Sequence, residues 1–225
     1  TRVRMNIVKS LYLSSAGIFM RKIINTFRLS AWLLGKAHGG EFLRKRDALI
    51  WEKGEHHKTD VYSSLGFNAT MFIDYMVKRI NKNDSILDVC CNQGRFLFDL
   101  QSKRYKNLYG FDIMGTAIDT IKKREDYNPK IMHIEHCLAQ DYFQNKQKNQ
   151  FDWAITYSAT IELIHPEFNI FKELSRTVRK GMILVINERG HAYPRFYRLL
   201  HRIHGFKILE TKSLDDKTLI YSIKI

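Results

Sequence analysis

From residue 67 onward, short apolar runs alternate with segments whose apolar positions recur at helical spacing. Residues 86–90, 107–112, 130–136, 151–157 and 182–187 read as strands, the last (MILVIN) being the most hydrophobic. Residues 68–80 read as a helix capped by Asn68, with Met71, Phe72, Tyr75, Met76 and Ile80 on one face. Residues 95–103, 116–124, 167–178 and 193–203 read as further helices, and 206–210 and 218–224 as a hairpin turning at Asp215 and Asp216. Buried strands alternating with amphipathic helices predict an α/β protein, a parallel sheet covered on both faces and doubly wound by right-handed crossovers. The closing hairpin adds an antiparallel strand. Ligands in such sheets sit beyond the carboxyl ends of the strands, so the residues that follow each strand carry the chemistry.

The first 66 residues follow a different pattern. Val8, Leu11, Tyr12, Ser15, Ile18 and Phe19 keep helical spacing, as do Ile23, Phe27, Ala31 and Leu34. Residues 1–38 carry seven basic side chains and no acid, half of a net charge of +14 on the 225-residue chain. Gly39 and Gly40 break the pattern, and 41–66 is charged and mixed. The expected organisation is a basic amphipathic helical extension and lid over 1–66, followed by a main domain over 67–225. The longest uncharged run, 10–20, is too short to span a bilayer, and no small-residue cleavage site marks a signal peptide. Two readings stand: a helical cap packed on the domain with a solvated basic face, or a helix lying on an anionic membrane or a partner. Because the chain opens on Thr1, its natural N-terminus is expected to lie upstream.

Charge and cysteine usage narrow the classes. A basic surplus favours an anionic partner. Cys90, Cys91 and Cys137 form no Cys-x-x-Cys pair, which argues against a disulfide framework or a zinc knuckle and for a reducing compartment. His133 and His136 fall on opposite faces of one strand, so no metal is expected. The expected location is cytoplasmic, with membrane association as an addition.

After the first strand the chain reads Asp88-Val89-Cys90-Cys91-Asn92-Gln93-Gly94-Arg95. A turn that brings a ligand to the backbone and feeds a helix needs small residues, some tolerant of positive φ, and Gly94 and Asn92 are suited to it. Asp88 can accept hydrogen bonds from an amino-bearing ligand. Asp112, at the end of the second strand and about 20 positions beyond the turn, is placed for the two hydroxyls of a ribose. Gln140 and Asp141 suit an adenine edge. Tyr157, Glu162 and His165 follow the fourth strand; Glu188, Arg189, His191 and Tyr193 follow the fifth.

These residues resemble the class I S-adenosylmethionine-dependent methyltransferases over 67–225. The family's first motif, acid-x-Gly-x-Gly-x-Gly, stands here as Asp88-x-Cys90-x-Asn92-x-Gly94, with the last glycine kept. The resemblance implies a Rossmann-like, seven-stranded sheet with S-adenosyl-L-methionine as cofactor and S-adenosyl-L-homocysteine as product. It assigns Asp88, Cys90, Asn92, Gly94, Asp112, Ile113, Gln140, Asp141 and Tyr157 to the cofactor: Asp112 to the ribose, Asp141 to the adenine amino group, and Phe111 or Ile113 to the ring. A nicotinamide dehydrogenase is the nearest rival, but it wants the tighter Gly-x-Gly-x-x-Gly turn. The strings His38-Gly39-Gly40-Glu41, Trp51-Glu52-Lys53-Gly54, 159–166 and 190–196 are similar to those of bacterial methyltransferases linked loosely with glycan or sugar modification.

An alcohol acceptor needs a general base. His165 is the first candidate, oriented by Glu162 three residues earlier, and His191 is the second. Tyr62, Glu188, Arg189, Tyr193 and Arg195 are expected on the acceptor side, with His56 and His57 in the lid. Arg195, Arg198 and Arg202 form one helical stripe, either a clamp for a substrate phosphate or a solvated face. The reading is O-methylation of a small-molecule or glycan-type acceptor, phosphorylated if the stripe is a clamp. No Pro-Pro turn follows the fourth strand and no Pro-Cys occurs, which sets aside base-amino and cytosine-carbon methylation. RNA methylation through the basic surface and a catalytically degenerate scaffold remain as alternatives.

Overall fold

A computed structural model describes residues 14–29, 67–158, 160–188, 193–214 and 217–225. In chain order these residues form helix α1 (Ser15–Thr26), α2 (Phe67–Val77), strand β1 (Ser85–Val89), α3 (Arg95–Ser102), β2 (Asn107–Asp112), α4 (Gly115–Lys123), β3 (Met132–His136) and α5 (Ala139–Gln144). Then come β4 (Phe151–Tyr157), a single 3-10 turn (Ile161–Leu163), α6 (Ile170–Thr177), β5 (Val178–Ile186), α7 (Tyr197–Ile203), β6 (Phe206–Leu214) and β7 (Lys217–Lys224). The seven strands pair in the order β3-β2-β1-β4-β5-β7-β6, all in one direction except β7, which is antiparallel to both β5 and β6. The doubly wound seven-stranded sheet and its antiparallel ending are therefore as expected.

The strand period of two divides the core. Ile86, Trp153, Ile155, Ile183 and Val185 face α2, α3 and α4. Leu87, Val89, Ala154, Met182, Leu184 and Ile186 face α5, α6 and α7. With both faces covered, burying one such aliphatic side chain contributes ~1.5–3 kcal/mol, and β4 and β5 are buried almost end to end. Gly110 lets β2 approach the following layer closely: a Cβ there would meet Cys91 Sγ and Leu97 Cδ1, each at 2.9 Å.

Several boundaries move for local reasons. The first domain helix is described from Phe67 onward, so Asn68 lies within it. The helix expected from 167 begins at Ile170, where the Asn169 side chain accepts from Lys172 N at 3.1 Å. The helix expected from 193 begins at Tyr197. Tyr193 precedes Pro194, a position biased away from helical backbone. Helix α5 was not anticipated from the sequence pattern.

Helix α1 packs on the domain as a cap. Asn25 Nδ2 donates to Pro194 O at 3.0 Å, and Phe196 N donates to Thr26 Oγ1 at 2.8 Å. Arg28 reaches Glu167 O at 2.6 Å, and Lys22 pairs with Glu188 at 3.6 Å. Among the described residues no helix is long and apolar enough to cross a membrane.

Candidate active site

A cavity of about 400 Å³ opens at the carboxyl ends of β1, β2, β3 and β4. Of the residues expected at the cofactor, Asp88, Cys90, Asn92, Asp112, Ile113, Gln140 and Tyr157 line it. Gly94 sits beneath the turn as the N-cap of α3.

The turn after β1 carries three left-handed residues at alternate positions: Cys90 (φ 57°), Asn92 (φ 49°) and Gly94 (φ 70°). These are the three positions the resemblance aligns with glycines. Cysteine pays about 1–2 kcal/mol for this conformation; asparagine tolerates it better. Cross-links hold the turn. Gly94 N donates to Cys91 O at 2.9 Å, Cys91 N to Phe111 O at 2.9 Å, and Asn92 Oδ1 accepts from Gln93 N at 2.8 Å. Asp112 ties β2 to it: Oδ2 accepts from Asn92 N at 2.8 Å and Oδ1 from Met114 N at 2.9 Å. A carboxylate oxygen can accept more than one hydrogen bond.

Asp88 stands apart. It is 3% exposed, and its Oδ2 has no hydrogen-bond partner. Burial pushes its carboxyl up to about 8; Arg95 pulls the other way and the Asp112 charge adds to the rise. Burial also raises the Cys90 thiol well above its ordinary value, with Asp112 and Asp88 adding to the effect. On the far wall, Tyr157 packs between Phe72 and Phe96, at centroid distances of 5.4 and 5.3 Å.

The acceptor side differs from expectation. His165 lines the cavity, but its orienting carboxylate is not Glu162. Glu162 is fully buried, and its oxygens accept from Asn187 N at 2.6 Å and Thr160 N at 3.1 Å, stapling the segments after β4 and β5. The carboxylate beside the imidazole is Glu167, 4.0 Å from Nδ1, and Glu167 N donates to that nitrogen at 3.3 Å. The Tyr193 ring meets His165 edge to face at 5.1 Å.

Arg195 is also corrected. It precedes α7, so it is not on the stripe of Arg198 and Arg202. Its guanidinium is buried and donates to Ile161 O at 2.8 Å and to Ile164 O. It braces the 161–164 segment and does not present a phosphate clamp. Burial lowers its pKa, with Tyr197 and Glu162 opposing.

Asp141 is exposed on α5, and Gln140, not Asp141, is among the described lining residues. Glu188 pairs with Lys22 outside the cavity. Tyr62, Arg189, His191, His56 and His57 lie outside the described residues.

Residues 86–181 match the family described as a methyltransferase domain. No curated protein matches the chain. Among solved structures it is similar to the magnesium protoporphyrin IX methyltransferase of Synechocystis PCC 6803 with bound S-adenosylmethionine, at 14% identity and TM-score 0.61, over 80% of this chain and 97% of that one. It is also similar to a Listeria monocytogenes S-adenosylmethionine-dependent methyltransferase described as putative, at 12% identity and TM-score 0.54, over 70% and 99%. The cyclase SpnF shares the fold at 14% identity and TM-score 0.57, over 69% and 80%. At these identities the likeness is one of fold. The matched methyltransferase domain contains Asp88, the left-handed turn, Asp112 and His165; Glu188, Tyr193 and Arg195 lie beyond it.

The domain's cavity has walls that the sequence pattern did not single out. Cys137, Leu138 and Ala139 close the side after β3, Thr160, Leu163 and Ile164 the side after β4, and Lys217 reaches in from β7. A signal existed for Glu167, two residues after His165, but Glu162 offered an equally good spacing. None existed for Lys217, which the sheet order alone brings to the site.

Proposed function

We propose that this chain is an S-adenosylmethionine-dependent methyltransferase acting on a hydroxyl of a small-molecule or glycan-type acceptor. The observation that carries the reading is the unpartnered, buried Oδ2 of Asp88 beside the left-handed turn. A buried carboxylate oxygen without a donor is costly, and an ammonium group supplies both the donor and the charge. Asp88 would hold the cofactor's amino end, Asp112 its ribose hydroxyls, and Gln140 with Ile113 the adenine. Bound there, S-adenosylmethionine supplies a methyl group on a sulfonium.

The chain's own part is positioning and proton removal. His165 would take the proton of an acceptor hydroxyl at Nε2 in the tautomer whose Nδ1–H is turned to the Glu167 carboxylate, the Glu167 N–H contact to Nδ1 being given up. Glu162 and Arg195 would hold that segment in place. Arg95 and Lys217 both line the cavity, and Lys217, reaching in from β7, would meet an acceptor phosphate. RNA methylation, with Arg198 and Arg202 on phosphates, is the second reading; it rests on the exposed basic pair and the net charge.

The test is to incubate the full chain with methyl-labelled cofactor and panels of phosphorylated sugars, unphosphorylated sugars and RNA, and to follow the label. Label on a sugar hydroxyl, lost in His165→Ala with cofactor affinity kept, is the expected result. Label on RNA alone would favour the second reading, and unchanged turnover in His165→Ala would remove it as base.

A further inference from the structure

We propose that α1 and α7 together form a docking surface for an anionic lipid bilayer. A helix capping a domain normally turns its apolar stripe inward. In α1 the buried residues are Asn25 and Thr26, which bond to the backbone of Pro194 and Phe196. Ile18, Ile23 and Ile24 are half-buried, but three large apolar side chains point away: Phe19 is 55% exposed, Met20 54%, and Phe27, just past the helix, 54%.

Helix α7 continues the surface. Leu199 and Ile203, one turn apart, are exposed, Ile203 at 57%. Five of the seven exposed large apolar residues among those described thus belong to these two helices and their ends. Three of them meet around Phe196. Phe27 and Leu199 line the same shallow depression with Phe196, Arg198, Lys22 and the Glu188 that Lys22 neutralises. Phe19 meets Phe196 edge-on at 5.7 Å.

Charge selects the occupant. Neither helix contains an acidic residue, and Arg28, Arg198 and Arg202 are exposed around the apolar side chains. Exposed aromatic and aliphatic groups ringed by cations suit the boundary between headgroups and acyl chains of an anionic leaflet. A second copy fits poorly, because a two-fold contact would set this cationic face against itself. RNA would use the arginines and leave Phe19, Phe27 and Ile203 in water. The surface does not depend on which hydroxyl is methylated.

The test is cosedimentation of the full chain with vesicles of phosphatidylcholine alone and of phosphatidylcholine mixed with phosphatidylglycerol. Binding is expected only to the mixed vesicles and should weaken as salt rises. Phe19→Ser, Phe27→Ser and Ile203→Ser together should weaken it at least about tenfold. Arg198→Gln with Arg202→Gln should weaken it roughly 30-fold. All these side chains are exposed, so near-ultraviolet circular dichroism should be unchanged. Failure to sediment with either vesicle would overturn the proposal. So would a triple serine variant that binds as tightly as the parent, since charge alone then explains the contact. A concentration-dependent dimer abolished by the same serines would overturn it in favour of a second copy.

Discussion

Asp84 and Asp152 at one end of the sheet and Asp88 at the other are buried carboxylates with opposite surroundings. At the amino ends of β1, β4 and β5, every oxygen of Asp84 and Asp152 has partners. Asp84 accepts from Trp153 Nε1 at 2.9 Å, Asn81 N at 3.2 Å and Lys180 Nζ at 2.5 Å. Asp152 accepts from Ser85 N at 3.0 Å and from Arg179 Nε at 2.9 Å. Burial works against the Asp152 charge, but Arg179, Ser85 N–H and Lys180 outweigh it, and its carboxyl lies below the usual range. At the carboxyl end of β1, Asp88 is as buried, keeps an oxygen without a donor, and is pushed up to about 8. Asp84 and Asp152 are satisfied within the architecture, whereas Asp88, left short beside a left-handed turn, is the acid proposed to meet a ligand.

The largest expected effect comes from Asp112→Ala. It removes acceptors for the cofactor hydroxyls and releases Asn92 N, and should weaken S-adenosylhomocysteine binding by about 10²–10³-fold in calorimetry. At the other end, Asp84→Ala strands the buried Trp153 N–H. It should lower unfolding free energy in urea by about 2–3 kcal/mol while leaving ligand affinity within about twofold. Loss of affinity in Asp84→Ala equal to that in Asp112→Ala would erase the distinction between the two ends.

The pH dependences should have opposite signs. The folded-state pKa of Asp88 is raised, so the native state keeps a proton that the unfolded chain has released. Its contribution makes the unliganded protein less stable as pH rises from about 4 to about 8. Asp152 is lowered, so its stabilisation is present above about pH 4 and is lost as pH falls through the folded value. Urea midpoints across pH should lose the first slope in Asp88→Asn and the second in Asp152→Asn. Affinity for an ammonium-bearing ligand should rise about tenfold per pH unit below about 8 and level off above it.

The smallest effect is expected from Cys90→Gly. Relief of left-handed strain, offset by glycine's entropy, should raise stability by no more than about 1 kcal/mol. A larger loss would mean that the Cys90 side chain packs the turn more than it strains it.

Sheet and cofactor side were legible where local signals coincide with tertiary ones. Strands 107–112 and 151–157 are apolar runs ending in residues the sheet does not continue, and their bounds agree with the structure. Asp88, Asn92 and Asp112 follow successive strands, so order along the chain places them at one edge. Helix α5 was not legible because it is only six residues long, and Tyr142 and Phe143 make sense only against Phe111, with centroids at 4.2 and 5.8 Å. The acceptor side failed for a related reason. Glu162 and Glu167 are both within a turn of His165, and only the fold sends one to backbone N–H groups. Arg195 shares helical spacing with Arg198, yet Pro194 and the carbonyls of Ile161 and Ile164 take it out of the helix. Helix α1 reads as an ordinary amphipathic cap until its polar residues are found facing inward.

The central claim is that the unpartnered Asp88 carboxyl is completed by the amino group of the cofactor. It is tested most directly by titrating S-adenosylhomocysteine into the full chain at pH 7 in two buffers of different ionisation enthalpy. The account predicts release of close to one proton on binding, absent in Asp88→Asn, because a group titrating near 8 must ionise to meet the ammonium. Binding with no proton release, or no binding at millimolar ligand, would contradict it.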